Sequence, residues 1–314
     1  MRPNLRLLWT LIVLAMPSCA YAQQVPCKST VTGHLDIVPL TSAIYQNTRS
    51  LRIWLPPGYD DPANAQKKYP VLYLYDGDSA FDACTAYMHD ELHADETLTG
   101  LITSGKIPPV IAVAIDNASD ILGHTPIGDN IDKGTARARE YIPYPDPLFP
   151  NITNVLGDRQ PDFLEHEVMP FIAARYRILP GPSHATLWGD SYAGAAALYI
   201  AIRRPSLFGS VIIESPSLQI GNGQLLRDSK SLAVLPSRIA IGIGTDEVGP
   251  DMVPNPATIN AVWVQLTRQL AENLKAADYI PPQLQLTVAP GAHHATGDFG
   301  KRLAAALLFI YRQD

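Results

Sequence analysis

An α/β fold with a mostly parallel central sheet and helices on both faces is what the sequence predicts. Three observations carry the prediction: short, nearly unbroken apolar runs, amphipathic segments between them, and turn residues at the borders. The earliest run differs, because Leu51, Ile53 and Leu55 alternate with Arg52 and Trp54, as in a strand with one covered face. VLYLYD (71–76), VIAVAI (110–115), ATLWG (185–189), SVIIES (210–215), IAIGIG (239–244) and LQLTV (284–288) are denser. Their β-branched and aromatic residues suit strands buried on both faces. Between them, 162–178 repeats Phe163, Leu164, Val168, Phe171 and Ile172 at three- and four-residue steps; Pro161 fits its first turn, and Pro170 should bend or restart the helix. The segments 259–277 and 299–313 also read as helices.

Arg2 and Arg6 precede an apolar stretch from Leu7 to Met16, and Ala20-Tyr21-Ala22 follows, so residues 1–22 are expected to be a secretory signal peptide cut before Gln23. Lipidation at Cys19 is the alternative, which Pro17 fits poorly. The stretch is shorter than a bilayer span, and no later segment is apolar for long enough, so no membrane span is expected. Residues 23–314 then form one secreted or periplasmic domain. Cleavage moves the formal net charge from -6 to -8 and leaves no basic cluster, which argues against nucleic acid as a partner. Cys27 and Cys84 remain; an oxidising destination allows a bridge, and two unrelated thiols are the alternative.

The strand 185–189 runs into Gly189-Asp190-Ser191-Tyr192-Ala193-Gly194 and an alanine-rich helical stretch, the context of a nucleophile elbow. A serine in such a turn needs small residues two positions before and after it, and Ala193 stands where glycine is usual. An ordinary turn in which Ser191 only caps the helix would look similar. A serine hydroxyl needs a base, and His293 and His294 follow the last strand, where that base belongs in this arrangement. An acid must hold the base, and Asp246 or Glu247, after 239–244, is the candidate. Oxyanion donors are expected from the amides of Tyr192 and of Gly77 and Asp78. Tyr75 and Phe81 could line the wall or pack in the core; Trp188 and Tyr192 flank the elbow.

His34, His124, His166 and His184 read as packed or solvated. His89 and His93, four apart on an expected helix, have a metal-like spacing, but HDELH departs from the H-E-x-x-H order and lacks an evident third ligand, so no metal or other cofactor is expected. The segment 117–150, rich in Pro, Gly and charge, either overhangs the cleft and sets specificity or is a long surface connection.

Together these residues resemble the putative-esterase family of α/β-hydrolases, which includes esterase D, siderophore trilactone esterases and feruloyl esterases. The resemblance runs through 49–59, 69–77, 114–117, 137–143 and 175–177 to the serine elbow. It implies an α/β-hydrolase fold and a cofactor-free esterase using Ser191 as nucleophile, His294 as base and an acid on the loop of Glu247. The siderophore-esterase G-x-x-H and G-x-x-E patterns match Gly291 to His294 and Gly244 to Glu247, favouring these over His293 and Asp246. The expected partner is a small-molecule ester. Two rivals are an acyltransferase of the same fold and a catalytically silent exported binding protein.

Overall fold

The fold was obtained as a computed structural model, which describes residues 27–118, 133–146, 150, 152, 154–231, 236–277 and 283–312. The signal-peptide expectation, Cys19, His124 and half of 117–150 lie outside the described residues. Eight strands form one sheet: β1 (His34–Ser42), β2 (Asn47–Leu55), β3 (Val71–Tyr75), β4 (Ile111–Ile115), β5 (Ala185–Asp190), β6 (Ser210–Glu214), β7 (Arg238–Gly244) and β8 (Leu284–Ala289). Their order is β1-β2-β4-β3-β5-β6-β7-β8. β2 pairs antiparallel with both β1 and β4, and β4 through β8 are joined by parallel pairings. Every predicted strand is present. β1 was not anticipated, because it lies at the sheet edge, is largely solvent-facing and carries Pro39, so no apolar run marks it.

The dense runs are buried on both faces for the reason the sequence suggests. Tyr73 and Tyr75 of β3 join the core layer that holds Leu187, Leu198 and Ile213, while Leu72 and Leu74 join the opposite layer with Trp188, Phe299 and Leu303. Helices cover each side: α5 (Ser191–Arg203) contributes Ala195 to Ala201 to the first layer, and α8 (Thr296–Tyr311) contributes Leu303 and Leu307 to the second. α7 (Pro256–Ala276) packs on β7 and β8 through Leu270 and Leu274.

The helix expected over 162–178 is shorter and interrupted. It comprises α3 (Gln160–Phe163), a π turn (Leu164–Val168) and α4 (Met169–Ala173). Pro170 has no N–H to offer the carbonyl of His166, and the wider turn directly before it accommodates that loss. His89 and His93 do not share a helix. His89 ends a 3-10 turn with a left-handed φ of 58°, and His93, at φ 55°, caps α1 (Ala94–Thr103).

Cys27 and Cys84 form a disulfide, with Cα atoms 5.6 Å apart, that closes a separation of 57 residues. In chain-entropy terms such a loop contributes about 4 kcal/mol by restricting the unfolded state. The bridge fixes the N-terminal arm beside Asp82, which accepts from Ser29 Oγ at 2.8 Å. Among the described residues, no helix is long and apolar enough to cross a membrane.

Candidate active site

Ser191 sits where β5 ends and α5 begins, and its φ of 55° is a left-handed conformation rare for a residue with a Cβ. The turn is tight. A Cβ on Gly189 would lie 2.4 Å from the carbonyl oxygen of Ala193, and one on Gly194 would lie 2.9 Å from that of Glu214. The glycine requirement therefore falls on 189 and 194. The Ala193 methyl meets no such obstruction, because it is buried with the apolar layer under α5, so alanine at 193 is compatible with the turn.

The loops after β7 and β8 interlock to build the other half of the site. Thr245 N–H donates to Ala289, Asp246 N–H to Ala292 and His294 N–H to Glu247, all through backbone carbonyls. A Cβ on Gly244 would lie 2.2 Å from the Ala292 oxygen, so this glycine admits the other loop, whereas Gly291 is called for by its left-handed φ of 71°. Glu247 points inward and is buried. Its Oε2 lies 2.5 Å from His294 Nδ1, and its Oε1 accepts from Ser215 Oγ at 2.7 Å and Gly244 N–H at 2.5 Å. Burial works to raise the Glu247 carboxyl, but the hydrogen bond and charge of His294, with the Ser215 and Gly244 donors, hold it below the usual carboxylate range.

Asp246 and His293 are placed elsewhere. Asp246 is exposed, and the His293 side chain faces solvent, its backbone N–H donating to Asp298 at 2.6 Å. The His294 ring is held edge-on between Trp263 and Phe299, at centroid distances of 5.8 and 5.3 Å.

Ser191 and His294 line the same cavity, of about 730 Å³, with Asp78, Trp188 and Phe299 among its other walls. Tyr75 lines it too, whereas Phe81 is buried in the core. Gly77 and Tyr192 are not among the lining residues. Gly77 opens a 3-10 turn against β4, where a Cβ would meet Asp116 Oδ1 at 2.6 Å, and Tyr192 occupies the first turn of α5, where amides have no intrahelical acceptor.

Two polar groups escaped sequence reasoning because their partners are remote in the chain. In the first, Arg302 donates to Glu214 Oε2 at 2.8 Å and to Ser215 Oγ at 3.3 Å, so a buried chain runs from α8 through Ser215 to Glu247. Gly242 makes room for it, since a Cβ there would overlap the Glu214 carboxylate. Burial pushes Glu214 up to about 7 despite the opposing pull of Arg302. In the second, Arg137 of α2 (Lys133–Tyr141) donates to both carboxylate oxygens of Asp76, at 2.8 and 2.6 Å, and lies 3.7 Å from Asp190. The stretch 137–143 belongs to the family resemblance, but the pairing of Arg137 with Asp76 and Asp190 joins segments far apart in the chain.

Asp190, beside the serine, is pushed up to about 7 by burial first and by the Asp76 charge second, against Arg137 and His294. In an unfolded chain it ionises near pH 4. Between about pH 4 and 7 the unfolded state therefore loses this proton before the folded state does, and the group disfavours folding increasingly up to pH 7 and by a constant amount above it. Asp190→Asn is thus expected to raise Tm relative to the parent at about pH 8 and to leave it unchanged near pH 4. Melting curves across that range check the sign.

A strand order of 1-2-4-3-5-6-7-8 with a left-handed serine turn after β5 and a histidine after β8 defines an α/β-hydrolase. The profile of the family described as Putative esterase matches residues 42–310, and the chain belongs to that family. It is accordingly a hydrolase of the esterase class. Among its relatives is the uncharacterized protein YbbA of Bacillus subtilis, 22% identical over 273 residues, covering 84% of this chain and 92% of the other. Similar solved structures include the siderophore hydrolase EstA from Aspergillus nidulans, with TM-score 0.70, 17% identity, and coverage of 97% of this chain and 99% of that one. The ferulic acid esterase AmCE1/Fae1A from Anaeromyces mucronatus has TM-score 0.61 and 21% identity, over 95% of this chain and 96% of that one.

Proposed function

We propose that the protein is an exported serine esterase that cleaves a carboxylic ester through an acyl-enzyme, with Ser191 as nucleophile, His294 as base and Glu247 as the acid that orients it. The observation that carries this reading is the 2.5 Å contact of His294 Nδ1 with the buried Glu247 carboxylate, in a loop facing the cavity that Ser191 also lines. With Nδ1 committed to Glu247, Nε2 is the nitrogen left to take the serine proton. The hydroxyl attacks the ester carbonyl, and the amides of Tyr192 and of the Gly77-Asp78 turn receive the developing charge. His294 then returns the proton to the leaving alcohol, and water repeats the attack on the acyl-enzyme. The Cys27–Cys84 bridge supports export, since such bonds persist in oxidising compartments.

A fluorophosphonate probe should label the protein at one residue, Ser191, identified by peptide mass spectrometry. Absence of labelling on folded protein would count against the nucleophile and favour a silent binding protein. Product analysis with added alcohols separates hydrolysis from acyl transfer.

The cavity also bears on the substrate. The exposed ring of Tyr87 lines it together with the core rings Tyr75, Trp188 and Phe299, while Asp76, Asp78 and Asp90 outnumber Arg137, which Asp76 already engages. A neutral aromatic acyl ester, of the kind a ferulic acid esterase acts on, fits this surface better than an anionic iron catecholate. In a panel at equal concentration, methyl ferulate should give kcat/KM at least about tenfold above an anionic catecholate ester, a difference of roughly 1.4 kcal/mol.

A further inference from the structure

Three acidic side chains gather at the start of α1, away from the serine: Glu91, Asp95 and Glu96. The Glu91 side chain is 2% exposed and Asp95 is fully buried. Their partners are few. Glu91 Oε2 accepts from Thr30 Oγ1 at 2.9 Å, and Asp95 Oδ2 accepts from the Thr32 backbone and hydroxyl at 2.5 and 2.9 Å. The remaining oxygens, Glu91 Oε1, Asp95 Oδ1 and Glu96 Oε2, are buried with no hydrogen-bond donor. Among the described residues, neither Lys nor Arg pairs with any of the three acids and His93 is the basic side chain in contact with them, so acids outnumber bases here, an arrangement that costs free energy unless something positive binds.

One further ligand faces this cluster. His93 Nδ1 lies 3.1 Å from the orphaned Glu91 Oε1 and 3.7 Å from Glu96 Oε1, and the three ligand atoms all fall within 4.8 Å of one another. An ion bound at about 2.1 Å by tetrahedral nitrogen and oxygen ligands holds them about 3.4 Å apart. Those contacts already have that spacing. The His93 side chain is 56% exposed, which leaves an open side where water can complete the coordination. His89, the other histidine of the sequence pair, is turned away and lies 2.8 Å from the Ala83 carbonyl.

We propose that Glu91, His93 and Glu96 form a binding site for a divalent transition-metal ion, with Zn²⁺ the best match. One imidazole and two carboxylates favour such an ion over Ca²⁺, which takes oxygen ligands in greater number. The ion joins the arm held by Thr30 to the start of α1. It sits one residue from both Asp90 and Leu92, which line the catalytic cavity, so its role is to brace that wall and not to act on the ester.

The test uses untagged protein stripped with EDTA and titrated with ZnCl₂ in a calorimeter, with melting curves in parallel. One equivalent should bind saturably, and Tm should rise by about 5 °C at a hundredfold excess over Kd. His93→Ala, at an exposed position that folding tolerates, and Glu91→Gln should each weaken binding at least tenfold. His293→Ala, in a surface cleft that His93 also lines, should leave it unchanged, because His293 pairs with Asp298 and not with the three ligands. No saturable binding, binding indifferent to both variants, or binding of Ca²⁺ in preference to Zn²⁺ would overturn the assignment. Ser191→Ala protein should bind zinc as the parent does, so the site stands or falls independently of the esterase mechanism.

Discussion

Ser191→Ala is expected to lower kcat for p-nitrophenyl acetate by about 10⁴ to 10⁶-fold while leaving the fold intact. In the proposed mechanism the size of the loss follows from the number of steps that pass through one oxygen: both formation and hydrolysis of the acyl-enzyme would need it, and what survives would be the water reaction assisted by the proposed oxyanion donors. Folding should survive because alanine keeps the Cβ already present at φ 55°, and the tight contacts of the turn belong to Gly189 and Gly194. Steady-state kinetics and circular dichroism on the same preparation check both halves. Activity within tenfold of the parent would remove Ser191 from the mechanism.

The second large effect is expected at the acid. Glu247→Gln should cut kcat by about 10⁴-fold with a much smaller change in KM. The amide is nearly isosteric and can still accept from Ser215 and Gly244 through its oxygen. Its NH₂ group then faces His294 Nδ1, where it must donate, so the imidazole carries its proton on Nε2 and can no longer receive one from serine. Mutating the exposed Asp246 to Asn should cost less than threefold, which distinguishes the two neighbouring acids. If both substitutions were equally mild, the site would work as a Ser-His dyad. The carboxylate also matters for stability. Glu247 is held below its ordinary range, so its contribution is present above about pH 4.3, the unfolded value, and is lost as pH falls through the lower folded value.

Local signals carried much of this site. The apolar runs fixed the strands because burial on both faces leaves few polar positions, and the elbow was legible because backbone crowding restricts which residues flank the serine. The G-x-x-E and G-x-x-H spacings were legible for a similar reason, as Gly244 admits the other loop and Gly291 takes a left-handed turn. Other features had no such trace. β1 gains its structure from pairing with β2 and not from its own pattern, and His89 and His93 looked helical because a four-residue spacing says nothing about the left-handed residues at 88, 89 and 93.

By itself, then, the sequence determined the sheet-and-helix alternation, the serine turn and the two short loops that bear a histidine and an acid, since each depends on residues within a few positions of one another. Only the tertiary structure decided that Arg302 reaches Ser215 from α8 and that Arg137 lies against Asp76 and Asp190. These are encounters between segments distant in sequence, and side-chain direction, which periodicity does not encode, determines whether they occur.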